Sequence, residues 1–405
     1  MIDPAAQAES RAQRPQLNIA LAHDWLVGRR GGELVLDAII HTLLKDQHSI
    51  SKLYSMFDDA SPVTDAIDNL PKSISKLNNL PASLRRWQLF RYPNAVKYLS
   101  TQLAKDHQAN PIDLIISTHS AAIKAITPSS VSIPHLCYCH TPARYLWSQR
   151  SAYSSRTLKG SLRALGLRAA TPTLRKWDFA AADSVTHFIA NSTHTQAQIQ
   201  EHYCRDSAVI HPPVRTDFFA PPDPSSKRTD ALLLVSALEP YKRVDLAIEA
   251  AAIANRELLI VGSGSHENHL RKHAQRTRAK LGSKSLIRFL GHLTDDQLLA
   301  QYQSANAFLF PQIEDFGITA VEAQASGCPV IARRAGGALD TVIDNPNNQT
   351  GIFFNEPTPE SIADAITNIP THKDTAEHCR NNALRFSESV FSEKLRELIN
   401  QTCPS

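Results

Sequence analysis

No apolar run in the 405-residue sequence approaches the ~20 residues needed to span a bilayer, and the opening stretch MIDPAAQAESRAQRPQ lacks the apolar core of a secretory signal. A cytoplasmic chain is therefore expected. The six cysteines, at 137, 139, 204, 328, 379 and 403, include no CxxC pair, so buried or free thiols are expected in place of a zinc or disulfide framework. No Asp-x-Asp occurs, and the histidines do not fall four apart beside a ligating acid on a helix; nothing visible requires a metal. The glycine-rich VGRRGG does not spell GxGxxG, and no acidic residue closes an obvious second strand, which disfavours a nicotinamide cofactor.

Acidic residues are missing from two long stretches. Pro71 to Lys105 has none, yet holds Lys72, Lys76, Arg85, Arg86, Arg91, Lys97 and Lys105. Arg144 to Trp177 has none either, and holds Arg150, Arg156, Lys159, Arg163, Arg168, Arg175 and Lys176. Within the first, PASLRRWQLFRYPNAVKYL mixes arginine with aromatics, a composition suited to an anionic headgroup layer and equally to an ordinary basic helix face. No nucleic-acid-binding motif accompanies either stretch, so nucleic acid is disfavoured as a partner.

An apolar content of 42% with 20% charged residues is that of a globular chain, and the length suits two domains. Short apolar strands alternate with amphipathic helices, which predicts an α/β fold of doubly wound parallel sheets. LNIALAH (17–23), DLIIST (113–118), HLCYCH (135–140) and THFIANS (186–192) read as strands, and GGELVLDAIIHTLL (31–44) as a helix. The series restarts with ALLLVSAL (231–238), ELLIVG (257–262), LIRFLG (286–291), AFLF (307–310) and CPVIA (328–332) after a Pro-rich, linker-like segment at 212–228. The expected domains are 1–212 and 213–383, with a C-terminal helix at about 384–405 packing back on the first. Open α/β sheets bind ligands beyond the carboxyl ends of their strands, so a site is expected in a cleft that the two domains face.

Several residues fall at such strand ends. In FLFPQIEDFGITAVEAQASGCPVIA, Glu314 ends a strand and a helix begins near Gly317, whose first-turn N–H groups from Phe316 through Ile318 to Thr319 form an anion site. Glu322 follows eight residues after Glu314, which suits a ligand with hydroxyls at both ends and phosphate between. Taken alone, that spacing reads as solvated helix charge. PYKRVD puts Lys242 and Arg243 after another strand, where cations can stabilise a diphosphate leaving group. Gly31 and Gly32 form a strand-to-helix turn open to close approach of the backbone to donor phosphates or the acceptor, and are counted among the donor-binding candidates; a tight turn without a ligand is the equal alternative. His140 ends a strand before Thr-Pro and is expected at a cleft edge; His23, Asp24 and His119 are second-tier cleft candidates. Asn191-Ser192 reads equally well as a helix cap and as a cleft residue, with capping the preferred reading.

The Glu314–Glu322 segment resembles the Glu-x7-Glu signature of the family 4 retaining glycosyltransferases. HLCYCHTPARYLW, FIANSTHTQAQIQEHY, VIHPPV, LLLVSALEPYKRVDLAIEA, LLIVGSGS and RFLGHLTDDQLLAQYQSANAFLFP resemble the family's blocks in the family's order. The resemblance implies the GT-B fold and a nucleotide-sugar donor. It implies that Glu314 contacts donor-sugar hydroxyls, Glu322 the ribose, and the backbone at Phe316–Thr319 the diphosphate. Lys242 falls where the family has a phosphate-binding lysine, His140 where it has an active-site histidine, and Gly31-Gly32 where it has a Gly-Gly loop. The family's arginine five residues before that lysine is here Ala237, and Arg243 is the suggested replacement.

The resemblance extends to a mannosyltransferase-like branch that builds bacterial surface polysaccharide, implying a hexosyltransferase with GDP-mannose as the first donor expectation and no metal or other cofactor. A glycan or polyprenyl-diphosphate-linked acceptor, and peripheral contact with the inner membrane face, are the matching partner expectations. A nucleotide-sugar epimerase on the same fold and a non-catalytic partner subunit stay open as alternatives, Ala237 favouring the second.

Overall fold

The computed structural model describes residues 16–85, 88–128, 130–147, 171–223, 226–369 and 374–404. Its first sheet consists of β1 (Asn18–Leu26), β2 (Ser49–Asp58), β3 (Lys72–Ile74), β4 (Leu114–His119), β5 (His135–Cys139), β6 (His187–Ala190) and β7 (Ser207–Val209). The spatial order is β3-β2-β1-β4-β5-β6-β7, with every pairing parallel. A second sheet consists of β8 (Leu232–Val235), β9 (Leu258–Val261), β10 (Ile287–Gly291), β11 (Ala307–Phe310), β12 (Val330–Arg333) and β13 (Gly351–Phe354). Its order is β10-β9-β8-β11-β12-β13, again parallel throughout.

Both sheets are thus doubly wound and Rossmann-like, the architecture of the GT-B fold. Their central strands are short apolar runs because helices cover both faces: all residues of β4, β5 and β11 are buried. The strand at Ser49–Asp58 is absent from the sequence reading. Its residues Leu53, Tyr54, Met56 and Phe57 are all buried, so it lacks the alternation that marks a half-exposed strand.

The chain forms two compact units. Described residues up to Ile210 and those from Phe391 onward belong to one, and His211–Val390 is the other. The sequence reading set these divisions at 212/213 and 383/384. The segment expected as a linker at 212–228 is a packed part of the second unit. Val214 and Phe219 are buried there, and Val214 bridges to Ser387 in parallel. Proline content misleads here because the described residues of the segment pack through these apolar side chains without a strand or helix of their own. Helix Glu388–Thr402 inserts Phe391, Leu395, Leu398 and Ile399 into the first unit's core, and its Arg396 pairs with Asp46 at 2.6 Å.

Candidate active site

In each sheet the order reverses between the first strand and the fourth, so the loops leaving those two strands diverge and open a crevice at the strand carboxyl ends. In the second unit these are the loops after β8 and β11. The first makes a 3-10 turn, Pro240–Lys242; the second carries Glu314 and leads into helix Ile318–Ala325. The fold therefore brings together two residues 72 positions apart: the Lys242 ammonium donates to Glu314 Oε1, with the side chains 14% and 18% exposed.

Backbone packing fixes this loop. Gly317 caps the helix at φ +99, a left-handed conformation that a side chain would strain, and a Cβ there would meet the Phe310 ring at 2.7 Å. Gly337 donates its N–H to Glu314 O at 2.9 Å, and a Cβ on it would stand 2.3 Å from Phe316 Cα. The helix has no side-chain cap, so its first-turn N–H groups at Ile318 and Thr319 find no side-chain acceptor at the cap residue, and Glu314 precedes the helix by four residues. Phe316 itself is buried against His211 and Phe386, while His211 Nε2 lies 2.9 Å from Asp340 Oδ2.

Glu322 lies on the same helix and accepts a 3.0 Å hydrogen bond from Tyr302 through Oε2. Burial raises its pKa to about 7, against the opposing pull of Tyr302 and Arg215. Arg243 has an acidic partner of its own. Its backbone is left-handed, at φ 52, and its guanidinium pairs with Asp245 at 3.1 Å rather than with Glu314. Ala237 is exposed, so no side chain there supplements Lys242.

The first unit's crevice is formed by β1, β4 and β5. Register places His23 opposite Thr118 and His119 opposite Cys139, which clusters the candidates His23, Asp24, His119 and His140. Asp24 and His119 are not cleft-lining residues: they are 1% and 0% exposed. The Asp24 carboxylate accepts from the backbone N–H of Ser120, Ala121, Ala122 and Ile123 at 2.7–2.8 Å, and His119 Nδ1 is 3.6 Å away. Burial would raise its pKa, but His119 and the amides overcome that and hold it below the usual carboxylate range. Its work is to close the loop after β4.

His140, directly after β5, is half-buried. Its Nε2 is buried and has no hydrogen-bond partner among the described residues, and burial, with His23 and His119 adding, lowers its pKa to about 3. Gly32 lies against it: a Cβ there would be 3.6 Å from His140 Nε2 and from His23 Cε1. Gly31 and Gly32 open helix Gly31–Lys45. Ser192 caps helix Thr193–Tyr203 by accepting from Thr195 N, and Asn191 Nδ2 donates to His140 O at 2.9 Å.

Sequence reasoning missed three features. Lys124 and Asp178 form a wholly buried ion pair, and Asp178 also accepts from Trp147 Nε1 at 2.7 Å and Tyr203 Oη at 3.0 Å. Tyr302 was missed because its partner stands 20 residues on. A third acid-free stretch, 268–294, carries Arg271, Lys272, Arg276, Arg278, Lys280, Lys284 and Arg288, so basic charge is not confined to the first unit. Of the earlier basic stretches, Arg86, Arg150, Arg156, Lys159, Arg163 and Arg168 lie outside the described residues. Arg85 donates to the carbonyls of Leu80 and Asn78 at 2.9 and 2.8 Å, which ties it to its own loop. Among the described residues no helix is long and apolar enough to cross a membrane.

Residues 217–386 match the model of the family described as glycosyl transferases group 1. That region contains Lys242, Glu314, helix 318–325 and Glu322. The D-inositol 3-phosphate glycosyltransferase of Corynebacterium glutamicum (strain R) is 28% identical over 248 residues, 54% of this chain and 58% of the relative. A D-inositol 3-phosphate glycosyltransferase 2 of Catenulispora acidiphila is 30% identical over 249 residues, 54% of this chain and 57% of its own length. The chain thus spans under two thirds of these relatives. In structure it is similar to HepE of Anabaena, solved with UDP and glucose, at TM-score 0.68 and 19% identity over 95% of this chain and 100% of that one. Sucrose-phosphate synthase of Thermosynechococcus elongatus matches at TM-score 0.70 and 16% identity, over 95% and 99%. The glycosyl transferases group 1 match and the GT-B fold rest on different observations and agree.

Proposed function

We propose that this chain is a retaining glycosyltransferase that takes a hexose from a nucleoside diphosphate sugar. The observation that carries the reading is the Lys242–Glu314 pair beside the uncapped helix N-terminus. One ammonium and two or three amides suit a diphosphate, and a carboxylate alongside suits sugar hydroxyls. In this reading Lys242, with Phe316, Gly317, Ile318 and Thr319, stabilises the departing diphosphate. Glu314 releases the lysine to the phosphate and orients the sugar. The acceptor hydroxyl attacks the oxocarbenium-like carbon from the face that the diphosphate leaves, and a diphosphate oxygen takes its proton. No carboxylate nucleophile and no metal step are invoked. Glu322 is assigned to the ribose, and Arg243 to the donor only if it leaves Asp245.

The first unit is assigned to the acceptor. His140, kept neutral by burial, suits a hydrogen bond to a sugar hydroxyl, and Gly31-Gly32 suit backbone approach. Mannose from GDP-mannose and a glycan or polyprenyl-diphosphate-linked acceptor at the inner membrane face are the specific form of the proposal. A second acceptor reading, an inositol phosphate, is supported by the names of the relatives.

The test is a thermal-shift series with GDP-mannose, GDP, UDP-glucose and UDP, followed by transfer assays with a polyprenyl-diphosphate-linked sugar and with D-inositol 3-phosphate. Stabilisation by a nucleotide sugar with retained anomeric configuration in the product supports the proposal. Sugar interconversion without acceptor would establish an epimerase, and no stabilisation by any nucleotide would leave a non-catalytic role.

A further inference from the structure

Glu322 has two carboxylate oxygens, and the structure distinguishes them. Oε2 accepts from the Tyr302 hydroxyl at 3.0 Å. Tyr302 belongs to helix Asp295–Ser304 and is wholly buried, its ring edge-on to Phe219 and Phe308 at centroid distances of 5.7 and 5.8 Å. Its carbonyl is held by Arg228 Nη1 at 2.9 Å, so ring and backbone are both fixed. Burial pushes its pKa well above the ordinary value, and the hydroxyl donates throughout the neutral range. No hydrogen bond to Oε1 occurs among the described residues.

We infer that Tyr302 is a positioning residue: its hydroxyl locks Glu322 in the rotamer that leaves Oε1 as the acceptor for the vicinal hydroxyls of the donor's ribose. This rests on the donor-site reading above and adds to it a residue that touches no substrate. A carboxylate pinned at one oxygen presents the other at a set position and loses little rotamer freedom on binding. The charged groups facing Glu322 are Arg215, from the segment preceding β8, and Asp295, on the tyrosine's own helix; they pair with each other at 2.9 Å. They largely cancel, which leaves the tyrosine as the chief group favouring the carboxylate.

The sign of the pH effect follows. An ionised Glu322 accepts from ribose more strongly than a protonated one, so its contribution to binding weakens as pH falls through about 7. Removing the hydroxyl takes away a bond to the charged form, and the loss moves to higher pH.

The experiment measures dissociation constants of the intact chain for UDP, GDP and their 2′-deoxy counterparts between pH 5.5 and 9. Tyr302→Phe, which keeps the packing, is compared with Glu322→Gln, which cannot titrate and supplies the baseline from phosphate ionisation. Wild type is expected to prefer the ribonucleotide. Tyr302→Phe is expected to weaken ribonucleotide binding at pH 7 by about tenfold, the loss of one charge-assisted hydrogen bond's positioning. Its deoxynucleotide affinity should hardly change, and the midpoint of its pH profile should rise. A carboxyl NMR titration of Glu322 in the nucleotide-free protein should show the same rise.

An unchanged ribo/deoxy ratio and pH midpoint in Tyr302→Phe, with the ratio lost in Glu322→Gln, would overturn the role of Tyr302 and leave the donor site standing. Binding of no nucleotide by wild type would overturn the donor site and this inference together. A Tyr302→Phe protein that loses ribo- and deoxynucleotide affinity equally would reduce the tyrosine to a structural role.

Discussion

The two units have the same crevice at the same place in the sheet and fill it with opposite electrostatics. In the first, the acid is spent on the fold and the imidazoles carry no charge. Asp24 is saturated by four backbone amides, and His23 and His140 are kept neutral by burial, with pKa values of about 4 and 3. In the second, a lysine and a glutamate neutralise each other beside an uncapped helix, an arrangement that an arriving diphosphate can take apart. A common topology therefore dictates where ligands are met, and the side chains at the reversal decide whether charge is stored there or handed to a ligand.

The comparison breaks most visibly if Lys242 is dispensable. Lys242→Ala is expected to cut sugar transfer by roughly a thousandfold or more, the scale of losing a main stabiliser of developing charge, while circular dichroism and melting stay near wild type. Asp24→Ala should do the reverse. It strands four buried amides and is expected to cost on the order of 3–5 kcal/mol in urea denaturation, with the second unit's nucleotide binding retained by whatever fraction remains folded.

Gly337→Ala sharpens the second half of the contrast. A methyl 2.3 Å from Phe316 Cα cannot be accommodated without moving the 314–317 backbone. A loss of about 1–3 kcal/mol in stability and a tenfold or greater loss of nucleotide affinity are expected by calorimetry.

Acid should separate the units. In the first unit the buried His23 and His135 and the half-buried His140 have folded pKa values of about 4, 3 and 3, below the usual 6.5, so their contribution is full above 6.5 and is lost as pH falls toward those values. Glu322 runs the other way: its raised pKa of about 7 makes its contribution full below the ordinary 4.5 and lost as pH rises through 7. Hydrogen exchange at pH 5 against pH 7.5 should show protection falling in β1, β4 and β5 and holding in helix 318–325. The smallest effect is expected from Ala237→Arg, a few-fold gain in nucleotide affinity, since its cation would add to Lys242 from an exposed position.

Much of this contrast could be read in the chain itself. The strands at 113–118, 135–140 and 307–310 showed as short apolar runs, and Lys242, Glu314 and Glu322 followed from strand ends and family resemblance. Packing that acts over long sequence distances could not be read. Gly337 has meaning only because the 314–316 backbone returns against it, and Tyr302 only because a helix carries its hydroxyl to Glu322. Asp24 looked like a cleft residue because its four partners are backbone groups, which leave no mark in sequence. Ser192, whose cap is a local bond three residues long, was read correctly for the converse reason.

Helix 388–402 carries a consequence for synthesis. The first unit's core includes Phe391, Leu395, Leu398 and Ile399, which follow the whole of the second unit in the chain. A ribosome therefore releases every residue of His211–Val390 before it releases the last pieces of the unit whose first strand was made earliest. The earlier-begun unit must wait, with the surface meant for that helix uncovered, until residues 388–402 have been made. The second unit, though later in sequence, is the first whose residues are all available to fold.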